Sequence, residues 1–329
     1  MRKRICASLG AGLLASLIST AVFAGAGHSH APAPAPGHSH APGHSHAPGP
    51  TPSSVTIGSQ PVGGNVSVVM GLDGFAGGNV GVSSGPDGLL VIDDMLPGFA
   101  PQLERALDDL KTCLTCGDLK YLINTHWHFD HVGNNEHFGG DAVLIAHDAV
   151  RPLLKKPQNL KAFNMKIPAK NRDGLPDITF AMKSSVYFNG EEIQLTHFPK
   201  SHTSGDIAAY FTKSNVVHLG DIYFNGMFPF VDLQNGGNVK GVIHSVETAL
   251  AQYPKDVKII PGHGPVSNMN ELKNYLAMLK ATLNTVEQGK AKGLSLEQIQ
   301  KHGLDKKWAS WAWKFVSTEK WIALIYNSL

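Results

Sequence analysis

The sequence predicts an α/β protein in which two β-sheets pack face to face with helices outside them. Three observations support this prediction. The chain has 329 residues and is 42% hydrophobic, enough for one large core or two fused halves. Short apolar runs of strand length recur in residues 66–123 and again in residues 178–260. In each half, segments with apolar residues at helical spacing follow these runs.

The N-terminal 24 residues predict a secretory signal peptide. Basic residues 2–4 precede an apolar run over residues 7–23, and small residues favour cleavage after Ala24. A membrane anchor or a buried helix is the alternative, but the run is short for a membrane span and a polar tail follows it. We expect a periplasmic or secreted protein with no membrane span after cleavage, because no later stretch is apolar enough to cross a bilayer.

Residues 25–52 predict a disordered linker, because they contain only Gly, Ser, Ala, Pro and His apart from Thr51. The sequence Gly-His-Ser-His-Ala-Pro occurs three times there, starting at Gly27, Gly37 and Gly43. Its paired imidazoles either gather zinc, copper or nickel loosely or belong to a plain solvated spacer. The folded domain is predicted to span residues 53–329.

The formal net charge is only +2, and the basic residues are spread along the chain, so nucleic acid is not expected as a partner. Cys113 and Cys116 remain after signal cleavage, and in an oxidising compartment they could close a local disulfide. A redox role is disfavoured because the pair follows a helical pattern. A zinc knuckle lacks a second pair of ligands nearby. The oligomeric state is left open.

The first half predicts an antiparallel meander followed by helices and further strands. Its predicted strands are residues 66–70, 79–82, 89–92, 121–123 and 142–145. Pro101 opens a helix between the third and fourth of these strands, and a short helix follows His147. Residues 71–78 and 84–88 form the turns of the meander.

The second half begins after a proline-containing, basic stretch, residues 157–176, which predicts a loop. The strands expected there are residues 178–180, 185–188, 193–197, 207–211, 216–219 and 257–260. Helices are expected over residues 239–253, stopped by Pro254, then from Asn268 with Glu271 in a capping box, and from Ser295. Four tryptophans, at 308, 311, 313 and 321, predict an aromatic C-terminal helix packed on a sheet, with a substrate platform as the alternative.

The segment Thr125-His126-Trp127-His128-Phe129-Asp130-His131 carries the strongest functional signal. It directly follows a predicted strand, in which alternate residues point the same way, so His126 and His128 should face one side together. Asp130 and His131 come as the chain turns and can approach from a second direction. The spacing therefore predicts two cations.

Three further candidate ligands stand after strand-like runs elsewhere in the chain: His202, Asp221 and His263. Glycine precedes Asp221 and flanks His263 on both sides, which lets the backbone come close to a buried ion. Imidazole and carboxylate are the ligands that zinc accepts in catalytic sites.

The order and contexts of these residues resemble the metallo-β-lactamase superfamily of metallohydrolases, over about residues 53–284. The resemblance implies an αββα sandwich with two Zn²⁺ ions at one edge between the sheets. It implies that His126, His128 and His202 hold the first zinc and that Asp130, His131 and His263 hold the second. It also implies that Asp221 bridges the two, which makes Asp130 and Asp221 the candidate catalytic residues.

A hydroxide held between two such ions is a nucleophile near neutral pH and would attack a carbonyl-type ester, lactone or β-lactam bond of a small molecule. In the best-known β-lactamases of the superfamily, Cys or Ser often stands where this chain has Asp221. An aspartate at this position puts lactam recognition in doubt and resembles the broader hydrolases, which cleave thioesters, lactones, phosphodiesters or sulfate esters. Two other hypotheses remain, namely a zinc-buffering protein that uses the histidine-rich linker and a mononuclear iron oxygenase.

Aromatic residues predict an apolar wall beside this site. Phe75, near the tip of the loop at residues 71–78, would act as a flap, and Tyr223 and Phe224 would extend the wall, unless these aromatics simply pack under a loop. Among the other histidines, His147, His218 and His244 are expected to be packed or hydrogen-bonded, whereas His197 could lie behind the ligands or touch substrate.

Overall fold

The computed structural model describes residues 54–111 and 118–329. The predicted signal peptide, the histidine-rich linker and the Cys113–Cys116 pair lie outside the described residues. No helix in the described ranges is long and apolar enough to span a bilayer.

Two sheets form the centre of the described chain. In chain order the strands are β1 (Ile57–Gly63), β2 (Val66–Gly71), β3 (Val80–Gly85), β4 (Gly88–Ile92), β5 (Leu119–Ile123), β6 (Val143–His147), β7 (Gln158–Leu160), β8 (Met165–Ile167), β9 (Ile178–Phe180), β10 (Lys183–Phe188), β11 (Glu191–His197), β12 (Ile207–Phe211), β13 (Val216–Phe224), β14 (Lys258–His263) and β15 (Ser267–Asn268). The first sheet has the order β1-β2-β3-β4-β5-β6-β9, and the second has the order β10-β11-β12-β13-β14-β15. The predicted meander is confirmed, since β1 to β4 pair antiparallel.

The helices are α1 (Ala100–Asp109), α2 (Asn135–Phe138), α3 (Val150–Leu154), α4 (Val239–Gln252), α5 (Met269–Ala291), α6 (Leu296–His302) and α7 (Thr318–Ser328). Short 3-10 helices span Lys161–Phe163, Leu233–Asn235 and Lys306–Trp311. At the start of α5 the Asn268 side chain accepts from the backbone N–H groups of Asn270 and Glu271, whereas the complete capping box forms at α6, between Ser295 and Gln298.

Three apolar layers confirm the predicted αββα arrangement. Between the sheets, side chains such as Ile92 and Ile123 of the first sheet pack with Ile207 and Ile260 of the second. The outer face of the first sheet packs against α1, and the outer face of the second packs against α4, α5 and α7. The central strands of each sheet are therefore buried on both faces, which explains why strands such as β4 and β12 are nearly continuous apolar runs.

Two predictions about local structure were wrong. Residues 157–176 are not simply a loop, because β7 and β8 form a hairpin around the 3-10 turn. Leu160 is buried, and Phe163 and Met165 are half-buried against the same apolar cluster, but the lysines between them hide this pattern in the sequence. The strand predicted to end at Leu219 continues through Asp221 to Phe224.

Candidate metal centre

The candidate ligands meet at one edge of the sandwich, where strands of both sheets end. His126, His128, Asp130 and His131 lie in the segment that follows β5 of the first sheet. The second sheet supplies the other three: His202 lies between β11 and β12, Asp221 lies in β13, and His263 ends β14. Because β13 and β14 are parallel neighbours, their ligands reach the same edge.

The first group of ligand atoms contains three imidazole nitrogens and one carboxylate oxygen. The Nδ1 atom of His128 lies 3.1 Å from Nε2 of His126 and 2.8 Å from Nε2 of His202. Asp221 Oδ2 completes the group, at 3.7 Å from His126 Nε2 and 3.3 Å from His202 Nε2. These four side chains are buried and could hold one metal ion.

The second group lies against the other oxygen of the same carboxylate. His131 Nε2 and His263 Nε2 are 3.3 Å apart, and Asp130 Oδ2 lies 3.3 Å from His263 Nε2. Asp221 Oδ1 lies 3.1 Å from His131 Nε2 and 3.4 Å from His263 Nε2. Each oxygen of Asp221 therefore faces a different group, as the sequence-based assignment of a bridging residue requires.

The donor atoms of the two groups suit divalent cations. Asp221 Oδ1 is buried without a hydrogen-bond partner of acceptable geometry among the described residues. Imidazole nitrogens of different residues face one another and face carboxylate oxygens, so several possible ligand atoms converge in each group. Buried polar atoms are normally paired, and nitrogen and oxygen donors at these separations are satisfied by a cation of the zinc class.

Hydrogen bonds fix the orientation of four candidate ligands through their outward-facing ring nitrogens. His202 Nδ1 donates to the backbone carbonyl of Phe230 at 2.7 Å, and His128 Nε2 donates to Asp232 Oδ2 at 3.1 Å. His131 Nδ1 donates to Asp93 Oδ2 at 2.7 Å. The Nδ1 atom of His126 lies 3.0 Å from the Thr125 hydroxyl. Such outer partners set the tautomer and present the other nitrogen as a ligand.

Asp93 links the two arms of the site and was not identified from the sequence. It is buried, directly follows β4 and has a φ of 64°. Its Oδ1 accepts from the Thr125 N–H and its Oδ2 accepts from the Thr125 hydroxyl, each at 2.7 Å, in addition to the bond from His131. An acidic residue just after a buried strand beside β5 was the available signal. Asp232 offered no comparable signal.

Burial and neighbouring charges shift the pKa values of four candidate ligand histidines in two opposite directions. Burial lowers the pKa of His126 well below its ordinary value and lowers that of His202 to about 4. Burial also opposes protonation of His131 and His263, but Asp221 and nearby carboxylates raise the pKa of His131 well above its ordinary value and that of His263 to about 9. A bound cation would replace the protons on this second pair.

Asp232→Asn is expected to weaken the first metal group while leaving the fold intact. Asn keeps the shape of the side chain but loses the negative charge that supports His128, and changes of this kind lower metal affinity by about 10- to 100-fold. Competition with a chromogenic zinc chelator measures the affinity. Asp256→Asn, at an exposed position away from the site, is the matched control. Equal affinities for the two variants would contradict the role of Asp232.

A pocket of largely aromatic character opens above the two groups. Its lining includes Phe75, Phe224, Trp313 and Phe315, as well as the hairpin formed by β7 and β8. The Phe75 ring stacks on His263 with centroids 5.6 Å apart. Phe75 and Phe224 therefore lie beside the site, and their contact with substrate stays a prediction.

Two aromatic predictions were wrong. Tyr223 does not line the pocket, because its ring packs on Tyr275 in the core and its hydroxyl bonds to Ser267 at 2.7 Å. The tryptophans do not share one helix. Trp321 is buried in α7, while Trp313 follows a 3-10 turn and reaches the pocket wall.

The remaining histidines have varied environments. His147 and His218 are buried and donate to the backbone carbonyls of Ala181 and Asn79, as expected. His244 was expected to be packed or hydrogen-bonded and not a ligand; it is exposed on α4 and lies outside both candidate ligand groups. His197 does not line the pocket, since its ring stacks on His147 with centroids 3.7 Å apart and its Nδ1 donates to the carbonyl of Asp206.

The stacked His147–His197 pair predicts a pH-dependent stability. Burial lowers the pKa of both rings in the folded chain, so the unfolded chain binds protons first as the pH falls below about 6.5. Stability should therefore be lost on acidification. His197→Asn keeps a donor for the Asp206 carbonyl but cannot titrate, and its free energy of unfolding should fall less steeply between pH 7 and pH 5. Denaturant unfolding at several pH values tests this, and parallel profiles would contradict it.

Comparison with known sequences places residues 78–263 in a match to the model of the metallo-beta-lactamase superfamily. Hydroxyacylglutathione hydrolase GloC of Haemophilus influenzae is 29% identical over 183 residues, which cover 54% of this chain and 81% of that protein. A probable hydroxyacylglutathione hydrolase of Schizosaccharomyces pombe is 28% identical over 44% of this chain and 48% of its own length. The probable metallo-hydrolase YqgX of Bacillus subtilis is 26% identical over 45% of this chain.

Solved structures share the fold at low identity. A metallo-beta-lactamase from Pontibacter korlensis aligns with a TM-score of 0.53 and 20% identity, over 68% of this chain and 99% of that one. The stereoselective inverting sec-alkylsulfatase Pisa1 from Pseudomonas sp. aligns with a TM-score of 0.56 and 16% identity, over 82% of this chain and half of its own. At these identities the likeness extends to the fold alone.

Proposed function

The chain belongs to the metallo-beta-lactamase superfamily and is a metal-dependent hydrolase, and we propose that it holds two zinc ions and cleaves an ester, lactone or β-lactam bond of a small molecule. One observation carries this proposal. The two oxygens of Asp221 face two separate groups of buried ligands, within 3.7 Å of a histidine nitrogen in each. A single-ion site would not need both groups.

The candidate ligands would hold the two proposed ions in two groups. His126, His128 and His202 would hold the first ion, Asp130, His131 and His263 would hold the second, and Asp221 would contact both. When bound, the ions supply a low-pKa water and polarise the carbonyl of the substrate. The chain keeps these ligands in fixed tautomers, and its aromatic walls exclude bulk water from the reacting bond.

Asp130 is placed for proton transfer. It lines the pocket, and its side chain is 12% exposed, compared with 4% for Asp221. We propose that its carboxylate takes the proton released when water adds to the carbonyl and returns it to the leaving oxygen or nitrogen.

A substrate panel tests the proposed function. The purified protein is assayed for bound metal and for turnover of chromogenic ester, lactone, β-lactam, phosphodiester and sulfate ester substrates. We expect two zinc ions per chain and turnover of carbonyl substrates, which a chelator should abolish and added zinc should restore. Asp130→Asn should lose the second ion and activity together.

The panel also separates the alternatives. Preferred cleavage of the phosphodiester or sulfate ester would replace the carbonyl assignment with the corresponding hydrolase. Two tightly held ions without turnover of any substrate would contradict the hydrolase and favour the metal-storing protein suggested by the histidine-rich linker.

A further inference from the structure

The lining of the aromatic pocket indicates which class of substrate it can bind. We propose that it selects an uncharged substrate with an aromatic or extended apolar group, and that Trp313 is a specificity-determining residue that contacts this group. The inference rests on the proposed hydrolase function and narrows its substrate class.

The lining of the pocket is divided sharply by polarity. Among the described lining residues, the polar members are His128, Asp130, Asp221 and His263, and all of them belong to the candidate ligand set. The other lining residues are phenylalanine, leucine, methionine or tryptophan. A substrate group beyond the reacting bond would therefore meet only apolar surface, which favours apolar groups and penalises unpaired charge.

Two nearby lysines do not line the pocket. Lys320 places Nζ 4.0 Å from the centre of the Phe163 ring, and the same nitrogen donates to the Ala162 carbonyl at 3.2 Å. Lys314 lies 5.8 Å from the centre of the Phe315 ring. The described lining contains no lysine or arginine, so a substrate carboxylate would find no basic side chain to pair with it.

Part of the wall comes from regions outside the family match at residues 78–263. Phe75 precedes that range, whereas Trp313 and Phe315 follow it by about fifty residues. These three wall residues therefore lie outside the range that the family model matches.

Trp313 is held rigidly enough to act as a specificity surface. Its indole Nε1 donates to the Phe228 carbonyl at 2.9 Å, and its backbone N–H donates to Val316 at 3.1 Å. Its ring lies 5.1 Å from Phe315 and 6.0 Å from His263, so it spans from the outer wall to the metal centre. A fixed aromatic face gives contact area at little cost in conformational entropy.

Matched 4-nitrophenyl esters test the inference on the zinc-loaded full chain. The hexanoate and the hydrogen adipate have acyl chains of the same length, but the adipate ends in a carboxylate. The acetate has the same 4-nitrophenyl leaving group but a short acyl chain, so it reports on the contacts that all three esters share. We expect kcat/KM to favour the hexanoate over the adipate by about 10- to 100-fold, the range typical of pocket discrimination.

Variants locate the effect at Trp313. Trp313→Ala should lower kcat/KM for the hexanoate by about tenfold through a higher KM, a larger loss than for the acetate, whereas Trp313→Phe should restore most of the loss. Trp308→Ala is the matched control, because Trp308 belongs to the preceding 3-10 turn and does not line the pocket. Should Trp313→Ala not fold, Phe315→Ala carries the same test.

The outcomes separate the two proposals. Equal or faster hydrolysis of the adipate, with the acetate still cleaved, would overturn the substrate class and leave the hydrolase in place. An unchanged hexanoate profile in Trp313→Ala would overturn the role of Trp313. Failure to cleave all three esters with both ions bound would overturn the inference together with the carbonyl hydrolase on which it rests.

Discussion

Asp221→Asn is expected to lower kcat/KM by about 10³-fold and to reduce the bound zinc from the proposed two ions per chain to one or none. This loss corresponds to about 4 kcal/mol of transition-state stabilisation, because Asp221 would support both of the proposed ions. An amide keeps the volume of the side chain but removes its charge and offers only one oxygen.

The geometry explains why this change should exceed the loss of any single histidine. Asp221 places one carboxylate oxygen against each group, with Oδ2 near His202 and Oδ1 near His131. Burial favours the protonated acid, but His131, His263 and His202 hold the pKa of Asp221 well below its ordinary value. The carboxylate is thus charged at neutral pH, and Asn cannot reproduce that charge.

Elemental analysis and steady-state kinetics on the same preparations measure the effect. Asp141→Asn, an exposed carboxylate outside the site, should retain both zinc content and activity. Thermal unfolding of the metal-free proteins checks that the two variants fold alike. A variant at position 221 that still binds two ions and turns over substrate within tenfold of the wild type would show that the two groups do not share this residue.

The ligand set could be predicted from the sequence because most of its members stand at or just beyond strand ends. A strand end fixes both the position and the direction of the next side chains. The motif at residues 125–131 can therefore be interpreted from the local sequence alone. Residues such as Asp93 and Asp232 act only through partners far away in sequence, Asp232 through His128 across 104 positions. The sequence around either residue therefore does not predict such a contact.

The pocket wall was harder to predict for a different reason. Tyr223 and Phe224 were assigned together, but the strand that holds them is irregular between Gly220 and Phe224, where it gains residues relative to β14. Gly220 has a φ of 51°, and this break changes which side chains face the site. Trp313 and Trp321 are chemically alike, and only tertiary packing decides that one lines the pocket and the other fills the core.

Gly262→Ala is expected to displace the Asp221 carboxylate, because the added β-carbon would clash with it. A β-carbon at position 262 would lie 2.0 Å from Asp221 Oδ1 and 2.8 Å from its backbone nitrogen, closer than atoms can approach. Relief requires either Asp221 or the β13–β14 pair to move. Overpacking of this kind costs about 1–3 kcal/mol of stability, and displacement of a reacting group by about 1 Å costs about 100-fold in rate.

Gly140→Ala is the matched control for this change, since a β-carbon there meets no atom within 4 Å. It should leave stability, zinc content and kcat/KM near the wild-type values. Gly262→Ala should instead lose activity by a larger factor than its stability loss explains, because the chain can remain folded while the carboxylate is displaced. Zinc content and chemical denaturation, measured with the kinetics, separate the two effects. Wild-type activity in Gly262→Ala would mean that the carboxylate has room to move, and that the close approach of β14 does not fix the bridge between the two metal groups.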